Sequence, residues 1–161
     1  MTRILFVCMG NICRSPTAEG VMRRLLETEG LADRVELDSA GIGDWHAGDP
    51  PDARATAAAR RRGVTLDGAA RMVQPDDFER FDLLVAMDRE NVRDLLAVAP
   101  DEQAAGKVRL LREFDPTTAG APDLDVPDPY YGAERGFETV LDMVEAACRG
   151  LLDELRSADR V

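Results

Sequence analysis

The sequence predicts an α/β fold: one doubly wound domain over residues 1–161, with a parallel sheet covered by helices. Three observations carry this prediction. Short apolar runs alternate with amphipathic helical patterns along the whole chain. The runs are apolar at every position, as in parallel strands buried on both faces. The length of 161 residues fits a single domain. Such a domain buries roughly 70% of its unfolded surface and needs no disulfide or metal staple.

The elements follow in order. Ile4-Leu5-Phe6-Val7 reads as a buried first strand. After a short loop, Ser15 suits a helix N-cap and Pro16 the first helical position. Ala18, Val21, Met22, Leu25 and Leu26 form the apolar face of that helix, and Gly30 ends it. Val35–Ala40 reads as a second strand. Pro51–Arg62 reads as a helix built on Ala53, Ala57 and Ala58 and stopped at Gly63. Asp82–Met87 holds the buried run Leu83-Leu84-Val85-Ala86. Arg89–Val98 is helical, Val108–Leu111 is a short strand, and Phe137–Leu155 is a long amphipathic helix. Ligands in such folds bind beyond the carboxyl ends of the strands.

Glu113–Gly132 breaks the rhythm. It has neither period and contains Pro116, Pro122, Pro127 and Pro129. An irregular stretch of that length in a compact domain is usually functional or disordered.

Composition excludes several functions. The net charge of −11 argues against a nucleic-acid binder or a polybasic membrane anchor. Three cysteines (Cys8, Cys13, Cys148) make no secreted disulfide framework, and no Cys/His cluster points to a metal. His46 is the only histidine. The run Ile4–Met9 is too short for a signal sequence or a membrane span, so a reduced, cytoplasmic location is expected. A monomer is the default. The charge is uneven. Residues 1–26 carry Arg3, Arg14, Arg23 and Arg24 against Glu19, whereas Glu113–Gly132 has five acids and no Lys or Arg. Screening limits the effect of distant charge on a local anion site.

The most informative segment is the first loop, Cys8-Met9-Gly10-Asn11-Ile12-Cys13-Arg14-Ser15. In a chain with so many arginines, the spacing from Cys8 to Arg14 arises by chance about one time in three. Context makes it specific. The cysteine ends a strand, the arginine starts a helix, and Gly10-Asn11 tolerate left-handed backbone angles. Such a loop turns its N–H groups inward as an anion nest at a helix N-terminus. Arg14 supplies a rigid fork for two oxygens of a tetrahedral anion. The positive field favours a Cys8 thiolate, a nucleophile facing phosphorus. The Ser15 hydroxyl is placed to donate to that sulfur. Neither GxxxxGK[ST] nor GxGxxG occurs, so nucleotide phosphate loops are excluded.

A phosphate ester also needs a proton donor for the leaving oxygen. Glu113, Asp115, Asp123, Asp125 and Asp128 all lie in the irregular segment, and sequence physics does not choose among them. Asp128 precedes Pro129, which restricts it to extended or turn geometry.

Val7-Cys8-Met9-Gly10-Asn11-Ile12-Cys13-Arg14-Ser15-Pro16 resembles the signature of the low-molecular-weight protein tyrosine phosphatases. Asp128-Pro129-Tyr130-Tyr131-Gly132 resembles the acid-loop signature of the same family. Order and spacing match over essentially the whole chain. The resemblance implies a four-stranded parallel sheet, no metal or other cofactor, and a phosphocysteine mechanism acting on phosphotyrosine proteins or peptides. It implies phosphate held by residues 8–15 and selects Asp128 as general acid and then base. It places Trp45, Tyr130 and Tyr131 along a slot for a phenyl ring. It implies a reversible disulfide between Cys8 and Cys13. It gives Asp88 a structural role, and Asn11 and Ser39 a place in a hydrogen-bond network supporting the loop. The family's usual histidine in that network falls near Gly68, and this stretch has none. The loop must therefore be supported differently. His46 is read as a rim residue and Cys148 as core.

Three alternatives share parts of this pattern. A protein arginine phosphatase tends to carry Thr where Ile12 stands and fewer aromatics at the acid loop. An arsenate reductase requires relay cysteines after the third strand, and residues 82–112 contain none. A non-catalytic phosphate-binding redox module would not need Asp128-Pro129.

Overall fold

Residues 1–132 and 134–161 of the computed structural model are described. Four parallel strands form the sheet: β1 (Thr2–Cys8), β2 (Val35–Gly41), β3 (Leu83–Ala86) and β4 (Val108–Leu110), in the order β2-β1-β3-β4. The helices are α1 (Arg14–Thr28), α2 (Ala53–Arg61), α3 (Pro75–Arg80), α4 (Arg89–Val98), α5 (Glu102–Ala105) and α6 (Glu134–Ser157). The α/β fold expected from the alternating pattern is the fold observed. From β1 the chain moves outward to β2 and then returns to the other side of β1 as β3. This reversal opens a crevice at the carboxyl end of β1, where ligands of such sheets bind. The loop after β1 occupies it.

The alternation of β1 divides the core. Ile4, Phe6 and Cys8 face the larger cluster with Met22, Val144 and Leu151, beneath α1 and α6. Leu5 and Val7 face the smaller cluster with Phe78, Phe81 and Leu95. Both sides of β1 are therefore dry, which explains its unbroken apolar run. Among the described residues no helix is long and apolar enough to cross a membrane.

Two short helices, α3 and α5, lie outside the expected pattern because each is too brief to show a period. Their local chemistry is nonetheless clear. Pro75 opens α3 while Asp77 accepts the Gln74 N–H, and Asp101 caps α5 by accepting from Ala104 N. Helix α2 starts at Ala53, not Pro51, because the Asp52 side chain caps it through Arg54 N and Ala55 N.

The expected N-cap at Ser15 is corrected. Helix α1 already begins at Arg14, with Cys13 at the cap position and no side-chain cap bond. Ser15 lies within the first turn, and its hydroxyl is committed to buried partners described below. The helix starts earlier than the capping preference anticipates, because this buried network outweighs a local cap.

Helix α6 crosses close to the 3₁₀ turn Leu111–Phe114. A Cβ at Gly150 would run into the Phe114 carbonyl oxygen. Gly150→Ala removes a helix-weakening glycine, a gain of about 1 kcal/mol. Overpacking against rigid backbone costs about 1–3 kcal/mol or more. The second effect wins, so the variant melts at a lower temperature. An unchanged or raised melting temperature refutes the close crossing.

Candidate active site

The site is built on the 8–15 loop. The backbone of Asn11 is left-handed, with φ 59°, and this reverses the loop toward Cys8. Four loop carbonyls are bonded from outside. Cys8 O accepts from Ile42 N, Met9 O from Gly43 N, Ile12 O from Asp52 N, and Cys13 O from Thr17 N. In a trans peptide the next N–H points the opposite way. The amides of Met9, Gly10, Cys13 and Arg14 are thus turned inward, and among the described residues none has a hydrogen-bond acceptor. Free donors at a helix start form an anion receptor.

Cys8 Sγ lies at the base of this cup. Asn11 N donates to it at 3.3 Å, and Ser15 Oγ is 3.0 Å away. The direction of the Ser15 bond follows from its neighbours. Arg71 N donates to Asn11 Oδ1 at 3.0 Å, which fixes the orientation of the Asn11 amide. Asn11 Nδ2 then donates to Ser15 Oγ at 2.8 Å and to Ser39 Oγ at 3.0 Å. The Ser15 oxygen is occupied as an acceptor, so its proton is free to point at sulfur. Asn11 and Ser39, expected in one hydrogen-bond network, are bonded to each other, and Ser15 joins them. The Arg71 backbone that meets Asn11 lies three residues beyond Gly68. Arg71 is itself clamped by Asp38 and by both oxygens of Asp77.

Arg14 is only 2% exposed. Its Nη1 donates to Asp88 Oδ2 at 2.6 Å and to the Val126 carbonyl at 3.0 Å. Burial opposes its charge, but Cys8 and Asp88 outweigh burial and hold its pKa above the ordinary value. Nε and Nη2 make no hydrogen bond among the described residues, and the guanidinium borders the cavity over Cys8. Asp88 has a second task as well, capping α4 through Asn91 N at 2.8 Å.

The cavity has a volume of about 420 Å³. Its floor is Cys8, Met9, Gly10, Ile12, Cys13 and Arg14; its walls are Trp45, His46, Asp128, Tyr130 and Tyr131. Trp45 is 67% exposed and Tyr131 94% exposed, so both stand at the mouth. Tyr130 and Tyr131 meet edge to face at 4.9 Å. The indole of Trp45 lies over Gly43, where any Cβ would collide with the ring.

The structure also separates the five acids. Glu113 accepts from Leu110 N and Arg109, Asp115 from Thr117, Asp123 from Asp125 N, and Asp125 from Arg89 N. All four are occupied in shaping the 113–132 segment. Only Asp128 borders the cavity. Its Oδ1 accepts from Tyr130 N at 3.0 Å, and its Oδ2 lies 3.6 Å from Arg14 Nη2.

The low molecular weight phosphotyrosine protein phosphatase family model matches residues 3–160. The chain belongs to that family. A low molecular weight protein-tyrosine-phosphatase of Streptomyces coelicolor is 54% identical over 96% of this chain and 93% of the relative. The human low molecular weight phosphotyrosine protein phosphatase is 37% identical over 94% of both chains. A crystal structure of a protein tyrosine phosphatase from Entamoeba histolytica superposes with a TM-score of 0.92 at 38% identity, covering 99% of each chain.

In this phosphatase all three cysteines are free and buried. Burial, with Asp52 and Cys8 adding to it, pushes Cys13 up to about 12. Burial does the same to Cys148, also to about 12. Both therefore stay neutral across the physiological range. Some residues close to the site carried no signal in the sequence. Arg71, Asp52 and Arg54 reach it only through tertiary contacts. His46, read from the sequence as a rim residue, lines the wall beside Gly10.

Proposed function

We propose that the protein is a protein tyrosine phosphatase acting through a phosphocysteine, in the cytoplasm and as a monomer. One observation carries the catalytic part of this reading. Cys8 Sγ, the inward amides, the free face of Arg14 and Asp128 all border one cavity with an aromatic mouth. The amides and Arg14 hold the phosphoryl oxygens, and the rings of Trp45, Tyr130 and Tyr131 flank the phenyl group.

In the first step the Cys8 sulfur lone pair forms the S–P bond while the ester P–O bond breaks. The leaving phenolic oxygen takes the proton of Asp128. Arg14 and the loop amides balance the charge on the equatorial oxygens. In the second step a water oxygen bonds phosphorus, its proton goes to the Asp128 carboxylate, and the S–P bond breaks. The Ser15 hydroxyl stabilises the departing thiolate. No cofactor or metal is invoked. We read the Cys13 thiol as the redox partner of Cys8: once an oxidant such as peroxide has converted the Cys8 sulfur to a sulfenic acid, Cys13 forms a disulfide with it and water leaves.

The test is steady-state hydrolysis of an aryl phosphate by wild type and Asp128→Asn. Loss of the proton donor lowers turnover about 10²–10⁴-fold. Competitive inhibition by inorganic phosphate changes little, because the 8–15 loop is untouched. Turnover of Asp128→Asn at the wild-type rate overturns the assignment of the acid. Higher kcat/KM on a phosphoarginine peptide than on the matched phosphotyrosine peptide overturns the assignment of the substrate.

The rim also predicts a flank preference. Asp44 and Asp49 adjoin Trp45 and His46, and both are exposed. Peptides with basic flanks are hydrolysed several-fold faster than acidic-flanked ones at low salt, and the gap closes at high salt. Equal rates at low salt refute it.

A further inference from the structure

One arrangement outside the reacting centre joins the two segments that carry the chemistry. Asp52 N donates to the Ile12 carbonyl at 2.8 Å, which ties the start of α2 to the 8–15 loop. The Asp52 carboxylate grips the side chain of Arg54 at two points. Arg54 Nε lies 3.3 Å from Oδ1, and Nη2 lies 3.1 Å from Oδ2. The same Nη2 donates to the Tyr130 carbonyl at 2.9 Å, across 76 positions of sequence. The guanidinium carbon lies 5.6 Å from the Tyr130 ring centre and 4.9 Å from that of Phe137. On the other side of Asp128, Val126 is held by Arg14 and by Met87 O. Among the described residues the turn around Asp128 is thus tied on both sides, and Arg54 supplies the tie that follows it.

We infer that Arg54 is a positioning residue, strapping the turn after Asp128 to the 8–15 loop so that the acid meets the leaving oxygen. The inference rests on Asp128 being the acid. Arg54 does not border the cavity and touches no reacting atom. An exposed ion pair alone contributes little. Here a planar fork fixed by Asp52 grips a carbonyl and stacks on rings, which Lys does not reproduce. Freeing the strap lets the carboxyl drift, and a misplacement of about 1 Å costs up to roughly 100-fold in rate.

The experiment measures kcat/KM over a series of aryl phosphates with leaving groups from an acidic nitrophenol to phenol. It uses Arg54→Ala, Arg54→Lys, Asp128→Asn and the Arg54→Ala/Asp128→Asn double variant. Protonation matters most for the poorest leaving group. Arg54→Ala is expected to lose about tenfold on phenyl phosphate and about twofold or less on the nitrophenyl ester. Arg54→Lys recovers only a minor part. Inhibition by inorganic phosphate stays within about twofold of wild type, since the effect is on positioning. In the Asp128→Asn background Arg54→Ala adds no further loss, because both act on one proton. An equal loss across all leaving groups, or a multiplicative loss in the double variant, overturns the inference. Thermal melting checks that each variant is folded, and Arg54→Lys carries the test if Arg54→Ala is not. An unchanged leaving-group dependence in Asp128→Asn removes the acid assignment and this inference with it. A steepened dependence in Asp128→Asn with none in Arg54→Ala removes only the role of Arg54.

Discussion

Replacing Cys8 by serine is expected to abolish aryl phosphate hydrolysis, with a fall in kcat of about four to six orders of magnitude. Removal of a covalent nucleophile acts on that scale, and each factor of ten is about 1.36 kcal/mol of barrier. The geometry explains why oxygen does not substitute for sulfur. The Cys8 position is served by one backbone N–H and one hydroxyl. Both donate toward the attacking atom, and among the described residues no general base lies within hydrogen-bond reach to take a serine proton. The only histidine, His46, lies at the wall beside Gly10 and pairs with Asp49. The variant keeps Arg14 and the inward amides, so it still binds inorganic phosphate. Phosphate binding is measured by titration and turnover by release of the phenol. Turnover within tenfold of wild type would falsify the nucleophile assignment.

Arg14→Lys is expected to reduce kcat/KM about 10³-fold although the charge is conserved. Charged donors that stabilise transferring phosphoryl groups contribute on that order. Arg14 has two jobs at once. Its Nη1 is consumed by Asp88 and the Val126 carbonyl, and Nε and Nη2 are left for the anion. A lysine gathers its three donors on one tetrahedral nitrogen, so it does not span Asp88, the Val126 carbonyl and two phosphate oxygens as the planar fork does. The partners suffer too. Val126 loses a donor from the segment that carries Asp128, and Asp88 loses the charge beside it while still capping α4. A fall in melting temperature therefore accompanies the loss of rate. Kinetics and a thermal melt on the same preparation check both. If the Arg14→Lys variant stays within fivefold of wild type, the bidentate role is removed.

Much of this was legible along the chain. The unbroken run of β1 and the Gly10-Asn11 reversal are local, and local chemistry predicts them. Asn11 does adopt the left-handed angle that its residue type tolerates. Legibility failed where one residue serves two masters. Ser15 satisfies the rule for an N-cap, but a buried bond to sulfur takes its hydroxyl one residue inside the helix. It also failed for brief elements. α3 has six residues and α5 four, too few to display a helical period.

The five acids of the 113–132 segment mark the boundary. Their residue types are alike, and only their partners separate them. Glu113, Asp115, Asp123 and Asp125 are spent on nearby amides and arginines, whereas Asp128 faces Arg14 across the cavity. Residue order alone predicts the α/β class and a curled loop after β1 with Cys8 at its base, because each element and that loop depend on neighbours within some ten positions. Packing in three dimensions chooses which carboxylate reaches the cup, how Arg71 supports Asn11 without a histidine, and how Arg54 ties Tyr130 to the cup. Those contacts join residues 60 to 112 positions apart. Hydrogen bonds over such separations leave no periodic trace in the sequence and exist only once the sheet has brought its loops to one edge.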